Sequence, residues 1–188
     1  MRIISGKLKG RRLNTPSDQR IRPTTDKVKE AIFSMITGWI DDESVCIDLF
    51  SGTGNLGLEA ISRGAKTVYF CDNHRESYNL TKSNVRHCGV EDQSVLMMGD
   101  YKVSLEKIPQ KADVIFVDPP YHEMLVPKVV SRIVECDRLQ PWGIVVAEHL
   151  EDDILPQELC GLEMIKERKY GTILVTVYGY PEDEEDEE

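Results

Sequence analysis

Five short apolar runs separated by amphipathic stretches predict a doubly wound, mostly parallel α/β sheet with an antiparallel closing strand and a short N-terminal β-hairpin extension. Three observations carry that prediction. The runs at 45–50, 67–71, 94–98, 113–117 and 144–148 are rich in β-branched residues and do not alternate with polar ones, the pattern of strands covered on both faces. Helical stretches at 55–63, 74–88, 101–107 and 123–138 separate them, as parallel crossovers require. The last two runs, 162–170 and 172–180, meet at Gly171 and read as an antiparallel pair.

Ahead of the sheet, Arg2-Ile3-Ile4 and Arg11-Arg12-Leu13 flank a stretch with Gly6 and Gly10 at its bends, which predicts a small hairpin. Arg22-Pro23-Thr24-Thr25 then offers a threonine after proline as a helix N-cap. The helix that follows carries Val28, Ile32, Met35 and Ile36 on one face, the spacing of a core stripe. The expected divisions are a basic arm over 1–24, the sheet domain over 25–180 and a disordered acidic tail over 181–188.

At 188 residues, 40% hydrophobic and 30% charged, the chain is long enough for one domain with a buried core. No apolar run approaches the ~20 residues of a membrane span, and the start lacks the apolar stretch of a signal peptide. The expectation is a cytoplasmic, non-secreted protein. Its five cysteines form no CxxC pair and no zinc spacing, which excludes a disulfide scaffold; Cys46 and Cys71 sit inside apolar runs, as buried reduced thiols do. His74, His87 and His122 share no ligand spacing, so no metal is expected, and a monomer is the default at this size. The net charge of −10 hides an asymmetry: residues 1–29 carry +7 and residues 181–188 carry −7. A basic arm on an acidic body can make local phosphate contacts, because screening makes nearby charge count most.

The first run ends in Asp48-Leu49-Phe50-Ser51-Gly52-Thr53-Gly54-Asn55-Leu56-Gly57, a GxGxxG loop between strand and helix, and Asp72 lies 20 residues past Gly52. Such a loop alone suits a dinucleotide. Asp48 argues otherwise, since a carboxylate one turn from a pyrophosphate would repel it, whereas the ammonium and sulfonium of S-adenosylmethionine are attracted. Asp72 is placed to accept ribose hydroxyls, and Asp100, after the third strand, could accept an adenine amine. Loop capping is the competing reading of Asp72 and Asp100. Strand four ends in Asp118-Pro119-Pro120-Tyr121, where two prolines stiffen the backbone and present an acid and a ring at the mouth of the cleft. A strand terminator with a packed tyrosine is the bland alternative.

Asp-Pro-Pro-Tyr resembles the signature of amino-methyltransferases. The chain as a whole resembles the bacterial 16S ribosomal RNA guanine-N2 methyltransferase family through Met1-Arg2-Ile3-Ile4-Ser5-Gly6, Arg22-Pro23-Thr24-Thr25-Asp26, Glu30-Ala31-Ile32-Phe33, Asp48 to Gly57 with Glu59-Ala60, Arg63-Gly64-Ala65, Asp118 to Tyr121 and Tyr170-Gly171. It departs at Asn55, where a small residue is usual, at Asp72, where glutamate is common, and in its acidic tail. The resemblance implies a Rossmann-like methyltransferase sheet that binds S-adenosylmethionine through Asp48, Ser51, Gly52, Thr53, Gly54, Asp72, Asn73, Asp100, Tyr101 and Asp118. It implies catalysis by Asp118, Pro119 and Tyr121: the Asp118 carboxylate and the Pro119 carbonyl accept the two N–H bonds of a guanine amine while Tyr121 stacks on the base. Arg2, Lys7, Lys9, Arg11, Arg12, Arg20 and Arg22 are the expected contacts to 16S rRNA in the small ribosomal subunit, with solvated surface as the alternative; Arg22 and Thr24 could instead close over the active site. Glu148-His149 lines the same edge, and His149 is expected to be a packed or solvent histidine with no role as a base. The rival functions are an adenine-N6 DNA methyltransferase, which usually carries a target-recognition region for which this chain has no spare residues, an NAD(P)-binding oxidoreductase, which leaves Asp48 and the Asp-Pro-Pro-Tyr motif unexplained, and a non-catalytic RNA-binding module, which the intact motif disfavours.

Overall fold

The computed structural model describes residues 1–17, 25–121 and 123–182. Arg20, Arg22, Thr24, His122 and the acidic run from 183 lie outside the described residues.

Helix α1 (Asp26–Met35) begins at Thr25, whose hydroxyl accepts the Val28 amide proton, and Asp26 complements the positive end of the helix dipole. Strands β1 (Val45–Asp48), β2 (Thr67–Asp72), β3 (Ser94–Met98), β4 (Ala112–Val117) and β5 (Leu139–Leu150) alternate with α2 (Asn55–Ser62), α3 (Arg75–Cys88), α4 (Tyr101–Lys107) and α5 (Val126–Glu135). The chain closes with β6 (Glu158–Leu159), β7 (Leu162–Tyr170) and β8 (Ile173–Gly179). The eight strands run in the order β3-β2-β1-β4-β5-β8-β7-β6. The first five are mutually parallel, and β8 inserts antiparallel between β5 and β7. The order reverses between β1 and β4, so a cleft opens beyond the carboxyl ends of those two strands.

Both faces of the sheet are apolar. Val68, Phe70, Val114, Phe116 and Val146 pack under α1, α2 and α3, while Tyr69, Ile115, Val117 and Val145 pack under α4 and α5. Burial of each such side chain is worth about 1.5–3 kcal/mol, and two buried faces explain why the strands do not alternate in polarity. Helix α2 lies close on β2 because Gly57 has no side chain: a Cβ there would fall 2.3 Å from Phe70 Cε1.

Several boundaries differ from expectation. The N-terminal hairpin is reduced to one antiparallel bridge, Arg2 with Arg12, and Ile3 and Leu13 sink into the core. Helix α5 starts at Val126, not near 123, because Met124 takes a left-handed φ of 47° and Pro127 occupies the first turn. Strand β5 reaches back to Leu139, with the register against β4 jumping from Ala112–Leu139 to Val114–Ile144. The two-residue β6 and a 3-10 turn at Glu91–Gln93 were not anticipated. Among the described residues no helix is long and apolar enough to cross a membrane.

Candidate active site

The loop between β1 and α2 turns on Gly52 and Gly54, both left-handed at φ 56° and 81°. Gly54 N–H donates to the Ser51 carbonyl at 2.6 Å, and Ser51 N–H donates to the Cys71 carbonyl at 2.9 Å. Helix α3 braces the loop from behind. Thr81 Oγ1 donates to the Gly52 carbonyl (2.9 Å) and so accepts from Ser51 Oγ (3.1 Å), while Asn84 Nδ2 donates to the Thr53 carbonyl (2.8 Å). Thr81 and Asn84 were missed from sequence, although Ser77, Thr81 and Asn84 at helical spacing on the inward side of α3 were a usable signal.

Two of the strand-end acids shape this loop. Asp72 accepts the Gly52 amide (2.9 Å) through one oxygen and the His74 amide (2.9 Å) through the other. Asp48 is buried and accepts the Gly57 amide at 3.1 Å. Burial pushes its carboxyl up to about 7, the charge of Asp72 adds to the rise, and the Gly57 N–H opposes it. Asp100 is exposed and caps α4 by accepting the Lys102 amide at 2.8 Å. Tyr101 is buried with its ring 5.9 Å from that of Phe50, and Asn73 is exposed beside Asp72. Asp72 and Asp100 therefore do cap their loops, the competing role considered for them, while standing at the strand ends.

At the end of β4, Asp118 and Tyr121 are half-buried, Pro119 is buried and Pro120 is exposed. Tyr121 Oη donates to Glu148 Oε1 at 2.8 Å. Glu148 is only 5% exposed and, with Pro119, Pro120, Tyr121, Leu125 and Val126, borders a small recess beside the cleft. His149 is packed: its Nδ1 lies 3.0 Å from the Leu150 carbonyl and its Nε2 2.8 Å from Thr176 Oγ1.

The basic segment is docked, and one buried carboxylate docks it. Glu59, on α2, accepts the amides of Ile4 (2.9 Å) and Ser5 (3.0 Å) and pairs with Lys29 (3.1 Å) and Arg63 (2.9 Å). Lys29 Nζ also donates to the Arg2 carbonyl (2.5 Å) and Asn55 Oδ1 (2.7 Å). The Lys29 and Glu59 side chains are fully enclosed, and burial holds the lysine below its ordinary pKa despite the Glu59 charge. Arg2 pairs with Asp26, Lys7 donates to Gln93 and Arg11 donates to the His87 carbonyl, while Lys9 and Arg12 are exposed. A cleft of about 440 Å³ lies here, bordered by Arg2, Ser5, Lys9, Glu30, Ser34 and Arg63.

The site fits a cationic ligand carrying no phosphate. Asp48, Asp72, Asp100 and Asp118 stand at or just past the ends of β1, β2, β3 and β4. A Cβ at Gly52 would meet nothing within 4 Å, so the loop backbone is open to close approach. Four acids at one sheet edge favour an ammonium and a sulfonium and disfavour a pyrophosphate.

Fold and site together define a Rossmann-like methyltransferase. A solved structure that it resembles is the Escherichia coli chain yhhF, named as a methyltransferase, which superimposes with a TM-score of 0.83 at 26% identity over 95% of this chain and 96% of that one. The chain belongs to the family described as conserved hypothetical protein 95, which matches residues 1–179. A Bacillus subtilis protein named as an rRNA methyltransferase, YlbH, is 36% identical over 181 residues, covering 95% of this chain and 98% of its own. Ribosomal RNA small subunit methyltransferase D of Haemophilus influenzae is 32% identical over 183 residues, covering 95% and 93%.

Proposed function

We propose that the protein transfers a methyl group from S-adenosylmethionine to the exocyclic N2 amine of a guanine in 16S rRNA, acting as a cytoplasmic monomer on the small ribosomal subunit or an assembly intermediate of it. The observation that carries this reading is Asp118-Pro119-Pro120-Tyr121 at the end of β4, beside a glycine loop surrounded by acids. The names of the relatives support rRNA as the substrate.

The cofactor supplies an electrophilic methyl on a sulfonium; Asp48, Ser51, Gly52, Thr53, Gly54, Asp72, Asn73, Asp100 and Tyr101 would hold it, with Asp118 adjacent. The guanine amine is a weak nucleophile because its lone pair is delocalised into the ring. The Asp118 carboxylate and the Pro119 carbonyl accept its two N–H bonds, which draws the nitrogen towards a tetrahedral shape and localises that lone pair towards the cleft. The carboxylate also offsets the positive charge that develops on nitrogen. Tyr121, held by Glu148, stacks on a base that has left its helix. Lys9 and Arg12, with Arg2, Lys7 and Arg11, contact the RNA backbone, and Arg22 and Thr24, outside the described residues, are further RNA contacts in this reading.

The test is methyl transfer from labelled S-adenosylmethionine to unmodified small subunits, naked 16S RNA and duplex DNA, followed by nucleoside analysis. N2-methylguanosine from a ribosomal substrate is the expected product. N6-methyladenine in DNA would overturn the substrate while keeping the chemistry.

A further inference from the structure

We infer that Glu148 selects guanine over adenine, its carboxylate accepting the ring N1–H while Asp118 accepts the neighbouring exocyclic amine. The inference rests on the guanine-N2 reading above and adds a specificity residue to it. Val117 of β4 pairs with Ala147 of β5, so Asp118 and Glu148 come next at matching places on neighbouring parallel strands. Strands so paired lie about 5 Å apart, so the two acidic residues leave the sheet from neighbouring strand ends. Glu148 is 5% exposed and borders, with Pro119, Pro120 and Tyr121, a recess with room for about one water, so a base meets the carboxylate at the mouth of that recess and not inside it. Tyr121 Oη donates to Glu148 Oε1 at 2.8 Å, which fixes the carboxylate relative to the ring on which the base stacks.

The chemistry of the two bases supplies the discrimination. Guanine presents two adjacent donors on its Watson–Crick edge, N1–H and the N2 amine. Adenine presents an unprotonated N1 as an acceptor beside its amine. An ionised carboxylate has two oxygens with about four lone-pair positions and no proton to give, so it can take N1–H in addition to a tyrosine hydroxyl and repels an acceptor nitrogen. Glutamine at 148 would lack this selectivity, because its amide offers a donor or an acceptor by rotation.

The test begins with mapping the methylated nucleotide, then rebuilding small subunits around 16S RNA that carries guanine or 2-aminopurine at that position. The analogue keeps the N2 amine and has an unprotonated N1 and no O6. The wild-type protein should favour guanine by about 10–100-fold in kcat/KM, the worth of a hydrogen bond to a charged group. Glu148→Gln and Glu148→Ala should bring that ratio to within about threefold, with S-adenosylmethionine affinity by calorimetry unchanged; comparing ratios between proteins removes the contribution of O6. Tyr121→Phe removes the bond that fixes the carboxylate but leaves the carboxylate itself, so it should slow both substrates and lower the ratio less than Glu148→Ala does. Glu148 variants that slow both substrates equally at an undiminished ratio would overturn the inference and leave Glu148 a positioning residue for Tyr121. A wild-type protein that does not discriminate overturns it without any variant. Absence of N2-methylguanosine from the wild-type reaction would instead overturn the underlying guanine reading.

Discussion

Replacing Asp48 by asparagine should abolish the pH dependence that this one carboxyl imposes on the fold. Its ordinary value is 3.8 and its value in the folded, ligand-free protein is about 7. Between those values the folded protein holds a proton that the unfolded chain has released, so stability falls as pH rises from about 4 to about 7 and is level above. A rise of about 3 units at ~1.36 kcal/mol per unit amounts to about 4 kcal/mol. Asparagine keeps an oxygen for the Gly57 amide, which Asp48 meets at 3.1 Å, and never ionises. The variant should therefore match the wild type near pH 4 and exceed it by about 4 kcal/mol at pH 8, measured by urea denaturation of the ligand-free protein. Wild-type and variant stabilities that run parallel from pH 4 to 8 would refute the reasoning. The same carboxyl links binding to protons: a cation beside it expels the proton, so cofactor binding at pH 6 should release about one proton in the wild type and none in Asp48→Asn. Binding enthalpies in buffers of different ionisation enthalpy read that number directly.

Asp118→Ala should lower kcat by about 10²–10³-fold, a larger effect than its change in cofactor affinity, and a kcat within threefold of wild type would remove Asp118 from the chemistry. Glu59→Gln leaves Lys29 enclosed without its charge partner, and denaturation should show a loss of about 3–5 kcal/mol; a loss below about 1 kcal/mol would mean that the network is slack. Changing Lys9 and Arg12 together to glutamine should weaken RNA binding and flatten its log–log salt slope by about 1.4–1.8, with cofactor binding untouched. An unchanged slope would take both residues off the RNA path.

The parallel core was legible because its strands are buried on both faces, and a continuous apolar run bounded by glycine, aspartate or proline has few other meanings. Ser94–Met98 and Tyr101–Lys107 emerge with the expected bounds. Failures came where tertiary contacts override local pattern. Residues 139–143 fall between the expected helix over 123–138 and strand over 144–148, yet Leu139 pairs with Ala112 and the four residues after it bulge out of the register. The hairpin lacks strands because its backbone is satisfied by Glu59, Ser62 and Asn84 as well as by itself. At the site, Asp48 and the Asp-Pro-Pro-Tyr motif stood out because acids ending apolar strands are unusual by composition alone. The Tyr121–Glu148 bond joins residues 27 positions apart on different segments, and no periodicity reports such a partner. Lys29 and Glu59 look like solvated charges on amphipathic helices, and only their mutual approach across 30 positions makes them core residues.

Helix α2 is eight residues long, about 12 Å from end to end, and every one of its residues is buried. Its first turn receives the glycine loop and its second turn grips the N-terminal segment through Glu59 and Ser62. With no exposed face to absorb a shift, it behaves as a rigid spacer, and the distance between loop and basic surface is set by helix geometry and not by side-chain choice. A substitution that shifts one end of this spacer is transmitted to the other, so a designer who wishes to retarget the basic face has more freedom in Lys9 and Arg12 than in anything that touches α2.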